Sequence, residues 1–318
     1  MAQPLFKRLK DRYPRLILDV LSSPWCARLF SRMSEVDSVI VNPFKHGELK
    51  LVQRYRLGKS LRGSHYDQAI VLPNSMKSAL IPFFASIPQR TGYVGEMRKG
   101  LLNDARAMQK SRYPLMVERF ALLAENRHES LRRPLRYPSL SSTEEQQFAL
   151  MEKLGLHPTK AIAVFCPGAE YGPAKRWPPE YFAQLAVMLA PQYEVWLVGS
   201  KKDSEIGDEI RRLSQGACLN LCGMTEIDEA IDLIAKAAFV VSNDSGLMHV
   251  AAALAKPMVA IYGSSSPGFT PPLSDKAVIA KLELPCSPCF ERACPLGHFD
   301  CMKKLVPESI HEMIGGLT

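Results

Sequence analysis

A chain of 318 residues, 47% hydrophobic and 23% charged, is enough for one large globular domain or two of middling size. No apolar run approaches the ~20 residues that a membrane-spanning helix needs, mean hydropathy is −0.07, and no fixed-period repeat or low-complexity tract is present. Lysine and arginine number 40 against 32 acids, a net charge of +8, which favours an anionic partner: nucleic acid, an acidic membrane surface or a phosphorylated substrate.

The first fifteen residues are basic and amphipathic, unlike the charged start and apolar block of a secretory signal. Periodicity predicts a helix over 3–13, closed by Pro14, then a strand at 15–20, a helix at 25–33 and a strand at 38–41. A long helix covers 48–61, and a buried strand at 66–72 ends at Pro73-Asn74-Ser75. A helix (77–86), a short strand (89–93) and a proline-led helix (114–125) follow. Residues 127–142 are polar, proline-bearing and charge-rich, and read as a linker, so the domains are expected at 1–142 and 143–318.

After a helix at 144–154 a second alternation begins. It has a strand at 161–165, a long loop at 166–177, a helix from Pro178-Pro179 and a strand at 193–198. Helices at 203–213 and 227–237, a strand at 239–242, a helix at 245–254 and a strand at 258–262 complete it. Two such blocks predict an α/β chain of two doubly wound parallel sheets, with ligand at the carboxyl ends of the strands. The first block opens on a helix that no strand precedes, although the first strand of such a block normally sits mid-sheet. The expectation is therefore that Met1 is an internal methionine of a longer parent chain and that the first domain is truncated. The alternative is a block wound differently, beginning with a helix.

Two segments carry the chemistry. In SNDSGLMHVAAALAKPMVAIYG, residues 242–263, a buried strand delivers Asn243-Asp244 and then turns at Ser245-Gly246 into a helix. A helix start binds phosphate through its free N–H groups and positive dipole end, and Gly246 lets an anion approach the backbone. Asp244 is placed to accept from sugar hydroxyls, or else simply caps the helix. His249 either faces the phosphate or packs. In CPGAEYGPAKRWPPEYF, residues 166–182, a strand ends in a loop bearing Lys175 and Arg176, two cations suited to a diphosphate unless they are merely a surface pair. Dinucleotide (GxGxxG), P-loop and metalloprotease signatures are absent, so no obligatory protein-bound catalytic metal is indicated, and assistance by Mg2+ stays open. The basic clusters lack interleaved aromatics and no nucleic-acid module is legible, so nucleic acid is not an expected partner.

The cysteines are of two kinds. Cys26, Cys166, Cys218 and Cys222 stand singly, as buried thiols do. Cys286, Cys289, Cys294 and Cys301 crowd together at C-x2-C-x4-C-x6-C spacing, with His298 among them. The spacing lacks a second CxxC, and free or pairable thiols are the expectation over a metal site. A reducing compartment fits this usage.

PGAEYGPAKRWP, SNDSGLMHVAAAL and YGSSSPGFTPPLS resemble the ADP-heptose:lipopolysaccharide heptosyltransferases of glycosyltransferase family 9, as do YDQAIVLPNSMKSALIPFFASIPQRTGY, MRKGLLND and YPLMVERF. The resemblance implies an inverting enzyme with two Rossmann-like domains facing a cleft, the GT-B arrangement. It implies ADP-heptose as donor in the second domain. The acceptor, lipid A–Kdo bearing heptose, would meet the first domain at the cytoplasmic face of the membrane, making the protein cytoplasmic and membrane-peripheral. Carried across by position, Lys175 and Arg176 would meet donor phosphates, and Ser245, Gly246, Leu247 and His249 would form the diphosphate-binding helix start. Asp244 would hold heptose hydroxyls, Asp203 or Glu205 would reach the ribose, and Cys222-Gly223-Met224-Thr225 would border adenine. Asn74, Lys77, Arg98 and Asn103 would lie on the acceptor side. The family's catalytic aspartate belongs to a Gly-Asp-Met loop ahead of the segment matching Met1-Ala2-Gln3. This chain is thus expected to bind ADP but to need that loop for turnover. A GT-B transferase using another nucleotide sugar and a non-catalytic nucleotide-binding remnant are the competing readings.

Overall fold

The computed structural model describes residues 1–317. The chain divides into two compact units, Met1–Pro24 with Glu35–Arg136 and Trp25–Ser34 with Tyr137–Thr318.

In chain order the elements up to Arg136 are α1 (Gln3–Arg12), β1 (Asp19–Ser22), α2 (Pro24–Phe30), β2 (Ser38–Val41), α3 (Leu51–Ser60), β3 (Gln68–Val71), α4 (Met76–Phe84), β4 (Gln89–Tyr93), β5 (Asp104–Arg106) and α5 (Met116–Leu122). Leu5, Phe6 and Leu9 of α1 and Val117, Ala121 and Leu122 of α5 are buried, and the two helices pack together. The strands of the first unit form two separate parallel sheets, β1-β2 and β3-β4-β5, with Asp19 opposite Ser38 in one and Gln68 opposite Gln89 in the other. Among the described residues, β1 and β3 therefore each keep one edge outside any ladder. Side chains tie them instead: the Tyr66 hydroxyl, just ahead of β3, donates to Asp19 Oδ2 at 2.5 Å.

The basic side chains of α1 are engaged inside this unit. Lys10 pairs with Asp37 at 2.6 Å, Arg12 with Glu129 at 3.4 Å, Lys7 approaches Glu35 at 3.9 Å, and Arg8 pairs with Glu125. The cationic start of the sequence is thus matched by acids that lie far away in the chain.

The second unit continues with α6 (Glu144–Leu154), β6 (Ala161–Cys166), α7 (Pro179–Leu189), β7 (Tyr193–Leu197), α8 (Ser204–Leu213), β8 (Cys218–Asn220), α9 (Ile227–Lys236), β9 (Phe239–Asn243), α10 (Gly246–Ala253), β10 (Met258–Ile261), β11 (Ala277–Ala280), α11 (Asp300–Lys303) and α12 (Pro307–Gly315). Its sheet is parallel throughout, in the order β11-β10-β9-β6-β7-β8. Strands buried on both faces read as apolar runs, and alternation sends their side chains to opposite layers. Ile162, Val164 and Cys166 of β6 pack with Leu150, Ile231, Ile234, Met248 and Ala251 from α6, α9 and α10. Ala163 and Phe165 pack with Phe182, Leu185, Ile210, Ile310 and Ile314 from α7, α8 and α12.

Residues 25–34 belong to the second unit, and the division along the chain falls after Arg136 rather than at 142. The reason is a buried fork: Arg32 donates to both carboxylate oxygens of Asp232, at 2.9 and 2.6 Å, with the residues 8% and 3% exposed. Five elements escaped the sequence reading. β5, β8 and β11 are three or four residues long and lie at sheet edges, too short to show a period, α11 has only four residues, and α12 follows the cysteine-rich loop.

Candidate functional site

The second sheet runs outward from β6 through β7 to β8 and then returns to β9 on the other side of β6. The loops leaving β6 and β9 therefore diverge at the point where strand order reverses, the place at which open parallel sheets bind ligands. Asn243, the last residue of β9, joins the two loops. Its Oδ1 accepts from the Trp177 backbone N–H at 3.1 Å and its Nδ2 donates to the Pro167 carbonyl at 2.7 Å. Trp177 is fully buried and its indole N–H donates to the Leu305 carbonyl at 2.7 Å, which anchors the end of the 167–177 loop.

That anchorage brings together two residues 69 apart in sequence. Lys175 Nζ donates to Asp244 Oδ2 at 2.6 Å, with side chains 17% and 5% exposed. The ammonium also lies 5.2 Å from the centroid of the Tyr171 ring. Immediately after Asp244, α10 begins. Ser245 stands at its N-cap without a side-chain cap bond, and a Cβ placed on Gly246 would meet nothing within 4 Å. Gly246 is exposed, and the first-turn N–H groups, which have no partner within the helix, present its positive end beside a lysine. The combination has the donors that an anion site needs, with a fixed carboxylate at its edge.

Other residues singled out in the sequence take more structural positions. Arg176 donates to the Ala169 carbonyl at 3.3 Å, while its buried Nε has no partner. Leu247 packs against the apolar layer beneath α10. Burial lowers the His249 imidazole to about 4, so it is neutral at physiological pH and supplies no charge to a phosphate. Asp203 caps its own turn, accepting from the Ser200 N–H at 2.9 Å and the Ser200 hydroxyl at 2.7 Å. Its carboxylate would be struck at 2.5 Å by a Cβ on Gly168, so the glycine is what allows the β6 loop to lie against it. Glu205 is exposed. Thr225, following Cys222-Gly223-Met224, keeps a buried hydroxyl with no partner, and the Cys222 thiol beside it is pushed up to about 12 by burial.

The sequence reading missed Asn243 as the clamp, and it missed Ser264 and Ser265. These two follow β10 at the same end of the sheet, and both carry buried hydroxyls without hydrogen-bond partners. An orphaned buried hydroxyl costs free energy unless something outside the described residues meets it. Their position directly after a strand flanking β9 was the available signal.

In the first unit, Asn74 and Arg98 come together at the carboxyl end of β3, and Lys77 follows in the first turn of α4. Arg98 is 2% exposed and donates to the Pro73 carbonyl at 2.5 Å and to Asn74 Oδ1 at 3.1 Å, with a further bond to the Tyr93 carbonyl. It holds the 73–74 turn in place. Asn103 stands apart from them, at the amino end of β4: its Oδ1 accepts from the Arg90 N–H at 2.8 Å and its Nδ2 donates to the Pro88 carbonyl at 2.6 Å. Both ends of that amide fasten backbone. The carboxylate expected ahead of Met1 lies outside the described residues.

Among the described residues no group of three or more His, Cys, Asp or Glu side chains is disposed to hold a metal ion, and no helix is long and apolar enough to cross a membrane.

Comparison with known proteins gives this geometry its context. Residues 54–300 match the model of glycosyltransferase family 9 (heptosyltransferase). The chain is 51% identical over 292 residues to lipopolysaccharide heptosyltransferase 2 of Salmonella typhimurium, covering 89% of this chain and 84% of that one. It is 46% identical to the Escherichia coli protein of that description, over 100% of this chain and 94% of the other. The solved structure of E. coli ADP-heptose lps heptosyltransferase II superposes with a TM-score of 0.90 at 44% identity, covering 99% of this chain and 93% of that one. An E. coli heptosyltransferase solved with ADP shares the fold at a TM-score of 0.72 and 20% identity, over 100% and 95% of the two chains. With two units of parallel α/β structure and these matches over most of its length, the chain has the GT-B fold and belongs to glycosyltransferase family 9, the heptosyltransferases.

Proposed function

We propose that the protein transfers heptose from ADP-heptose, with inversion, onto the heptosyl–Kdo–lipid A inner core of lipopolysaccharide. The observation that carries this reading is the Lys175–Asp244 pair at 2.6 Å beside the open start of α10. The names of the relatives described as lipopolysaccharide heptosyltransferase 2 support heptose as the sugar and lipopolysaccharide as the acceptor.

Departure of ADP leaves negative charge on the β-phosphate. The Lys175 ammonium has three donors, so it bonds a phosphate oxygen while keeping Asp244, and the first N–H groups of α10 meet the same charge. Preorganised donors of this kind are worth about 2.7–4 kcal/mol each to a transition state. Asp244, fixed by Lys175 and nearly buried, accepts from heptose hydroxyls and orients the anomeric carbon. The unpartnered Thr225 hydroxyl, in the loop between β8 and α9, is suited to the nucleoside. In the first unit, the Arg98-braced turn at Asn74 and the nearby Lys77 contribute to the acceptor side.

The acceptor is a glycolipid, and α3 supports a position at an anionic membrane surface on the cytoplasmic side. Leu51, Val52 and Tyr55 are exposed on it together with Arg56 and Lys59, a mixture of apolar and cationic groups suited to a lipid interface. The test is equilibrium titration with ADP-heptose against UDP- and GDP-linked sugars, alongside binding of the heptosyl–Kdo–lipid A glycolipid. Saturable binding of ADP-heptose and of that glycolipid is expected. Preference for a uridine or guanosine donor would overturn the assignment.

A further inference from the structure

Cys286, Cys289, Cys294 and Cys301 take no part in the site described above, yet all four line one cavity of about 20 Å3 together with Ala174 and Ser264. That volume holds roughly one small molecule of the size of water. All four are free and partly exposed thiols, and they are not arranged as a metal's ligands. They are also unlike one another. The Cys294 sulfur accepts from the Phe299 N–H at 3.4 Å, and this backbone donor is the main cause that lowers its pKa below the ordinary thiol value. The turn that brings this donor back, closed by the Gly297 N–H on the Cys294 carbonyl at 3.1 Å, needs left-handed backbone at Gly297 (φ 73°) and Phe299 (φ 57°). Cys301 is the opposite case, its pKa raised by burial and then by the neighbouring sulfurs of Cys289, Cys286 and Cys294. Ser264, 1% exposed, holds a hydroxyl with no partner and lines the same space.

We propose that this cavity is a peroxide-reactive thiol site, in which Cys294 is oxidised first and a second cavity thiol then closes a disulfide. The thiolate of Cys294 attacks one oxygen of hydrogen peroxide. An S–O bond forms, the O–O bond breaks, and hydroxide leaves and becomes water by taking up the proton that the thiol released on ionising. Sulfur is oxidised to the sulfenic acid as the peroxide is reduced. A neighbouring thiol then attacks that sulfur. The S–S bond forms, the S–O bond breaks, and the oxygen leaves as water with the thiol's proton. The Ser264 hydroxyl is positioned to donate to an oxygen of the bound peroxide. Reactive thiols are those with stabilised thiolates and access, and Cys294 has both.

The oxidised loop would act on the donor site through hydrogen bonds. The Arg292 carbonyl accepts from the Ala174 N–H at 3.0 Å, within the turn that carries Lys175, and the Phe290 carbonyl accepts from the Tyr171 hydroxyl at 2.6 Å, just ahead of that turn. The Phe290 N–H donates to the Ser264 carbonyl at 2.6 Å and the Ser287 hydroxyl to the Gly263 carbonyl at 2.7 Å, tying the loop to the end of β10 as well. A disulfide within the loop therefore shifts the frame of Lys175 and weakens ADP binding. This consequence rests on the donor reading above, whereas the thiol chemistry does not.

The full chain is treated with stoichiometric hydrogen peroxide in the presence of dimedone, and the modified cysteine is identified by peptide mass spectrometry. Cys294 should be labelled first. Without dimedone it should appear in a disulfide with Cys286, Cys289 or Cys301. Cys294→Ser should slow oxidation of the other three at least tenfold. Should that variant not fold, the order of iodoacetamide alkylation in the unaltered chain decides, with Cys294 expected to lead. Equal reactivity of the four thiols, or a purified protein whose thiols are all blocked by one bound thiophilic metal ion, overturns the proposal. ADP titration of the reduced and oxidised chain should show a several-fold loss that reductant reverses. A disulfide that leaves ADP affinity unchanged refutes the coupling, while a reduced chain that does not bind ADP counts against the donor reading and leaves the thiol result standing.

Discussion

Replacing Lys175 with methionine keeps most of the side-chain volume and removes the ammonium. Two separate losses follow from the geometry. The first is in binding: a charge-assisted bond to the diphosphate is worth about 1.5–3 kcal/mol, and at about 1.4 kcal/mol per decade ADP should bind roughly ten- to 150-fold more weakly. The second is in stability, because Asp244, 5% exposed on its side chain, is left as a nearly buried carboxylate without its partner at 2.6 Å. Breaking a buried pair from one side costs about 3–5 kcal/mol, and the 17% exposure of Lys175 places the effect toward the lower end. Adding Asp244→Asn to Lys175→Met removes the stranded charge. The double variant should regain much of the melting temperature and none of the ADP affinity. Calorimetric titration with ADP and thermal unfolding of the two variants separate the terms. An unchanged ADP dissociation constant in Lys175→Met, or recovery of affinity in the double variant, would refute the role given to Lys175.

Asp244→Asn alone should weaken ADP-heptose more than ADP, since the carboxylate is assigned to the sugar; equal losses by titration would remove it from that role. Asn243→Ala leaves the Trp177 N–H and the Pro167 carbonyl unmet in a buried place, costing about 1–3 kcal/mol for each, so both melting temperature and ADP affinity should fall. His249 has a folded pKa of about 4 against an ordinary 6.5, so between those values the unfolded chain binds the extra proton. Stability should therefore decline as pH falls from about 6.5 to about 4, and denaturant titrations of His249→Gln should show a shallower decline. Leu51→Ser with Val52→Ser should reduce sedimentation with anionic liposomes without changing ADP affinity, and unchanged sedimentation would take α3 out of the membrane contact.

The fold was legible where burial is two-sided. The apolar runs of β6, β9 and β10 and the Gly or Asn closing them marked a parallel sheet, and the loops that matter leave its strands at the carboxyl ends. Asp244 and Gly246 could be picked out because they follow such a strand directly, and Lys175 because it lies in the Gly/Pro loop that leaves one. Their 2.6 Å pairing could not, since it depends on Asn243 and Trp177 fastening two loops that sequence keeps 69 positions apart. Charge misled in the same way. The cations of α1 counted toward a net charge that favours an anionic partner, yet their partners Glu35, Asp37, Glu125 and Glu129 only become neighbours on folding. Arg98 and Asn103 show how residue type alone fails to separate ligand groups from turn fasteners, because each is bonded to backbone carbonyls that only the fold brings near.

The central claim is that the start of α10 and Lys175 form the cradle of the donor diphosphate. A crystal structure of this chain with ADP tests it most directly. The β-phosphate should lie about 3 Å from Lys175 Nζ and from backbone N–H groups at Gly246 and Leu247, with the Lys175–Asp244 pair retained. A diphosphate bound elsewhere on the protein, with that helix start still bare, would contradict the account.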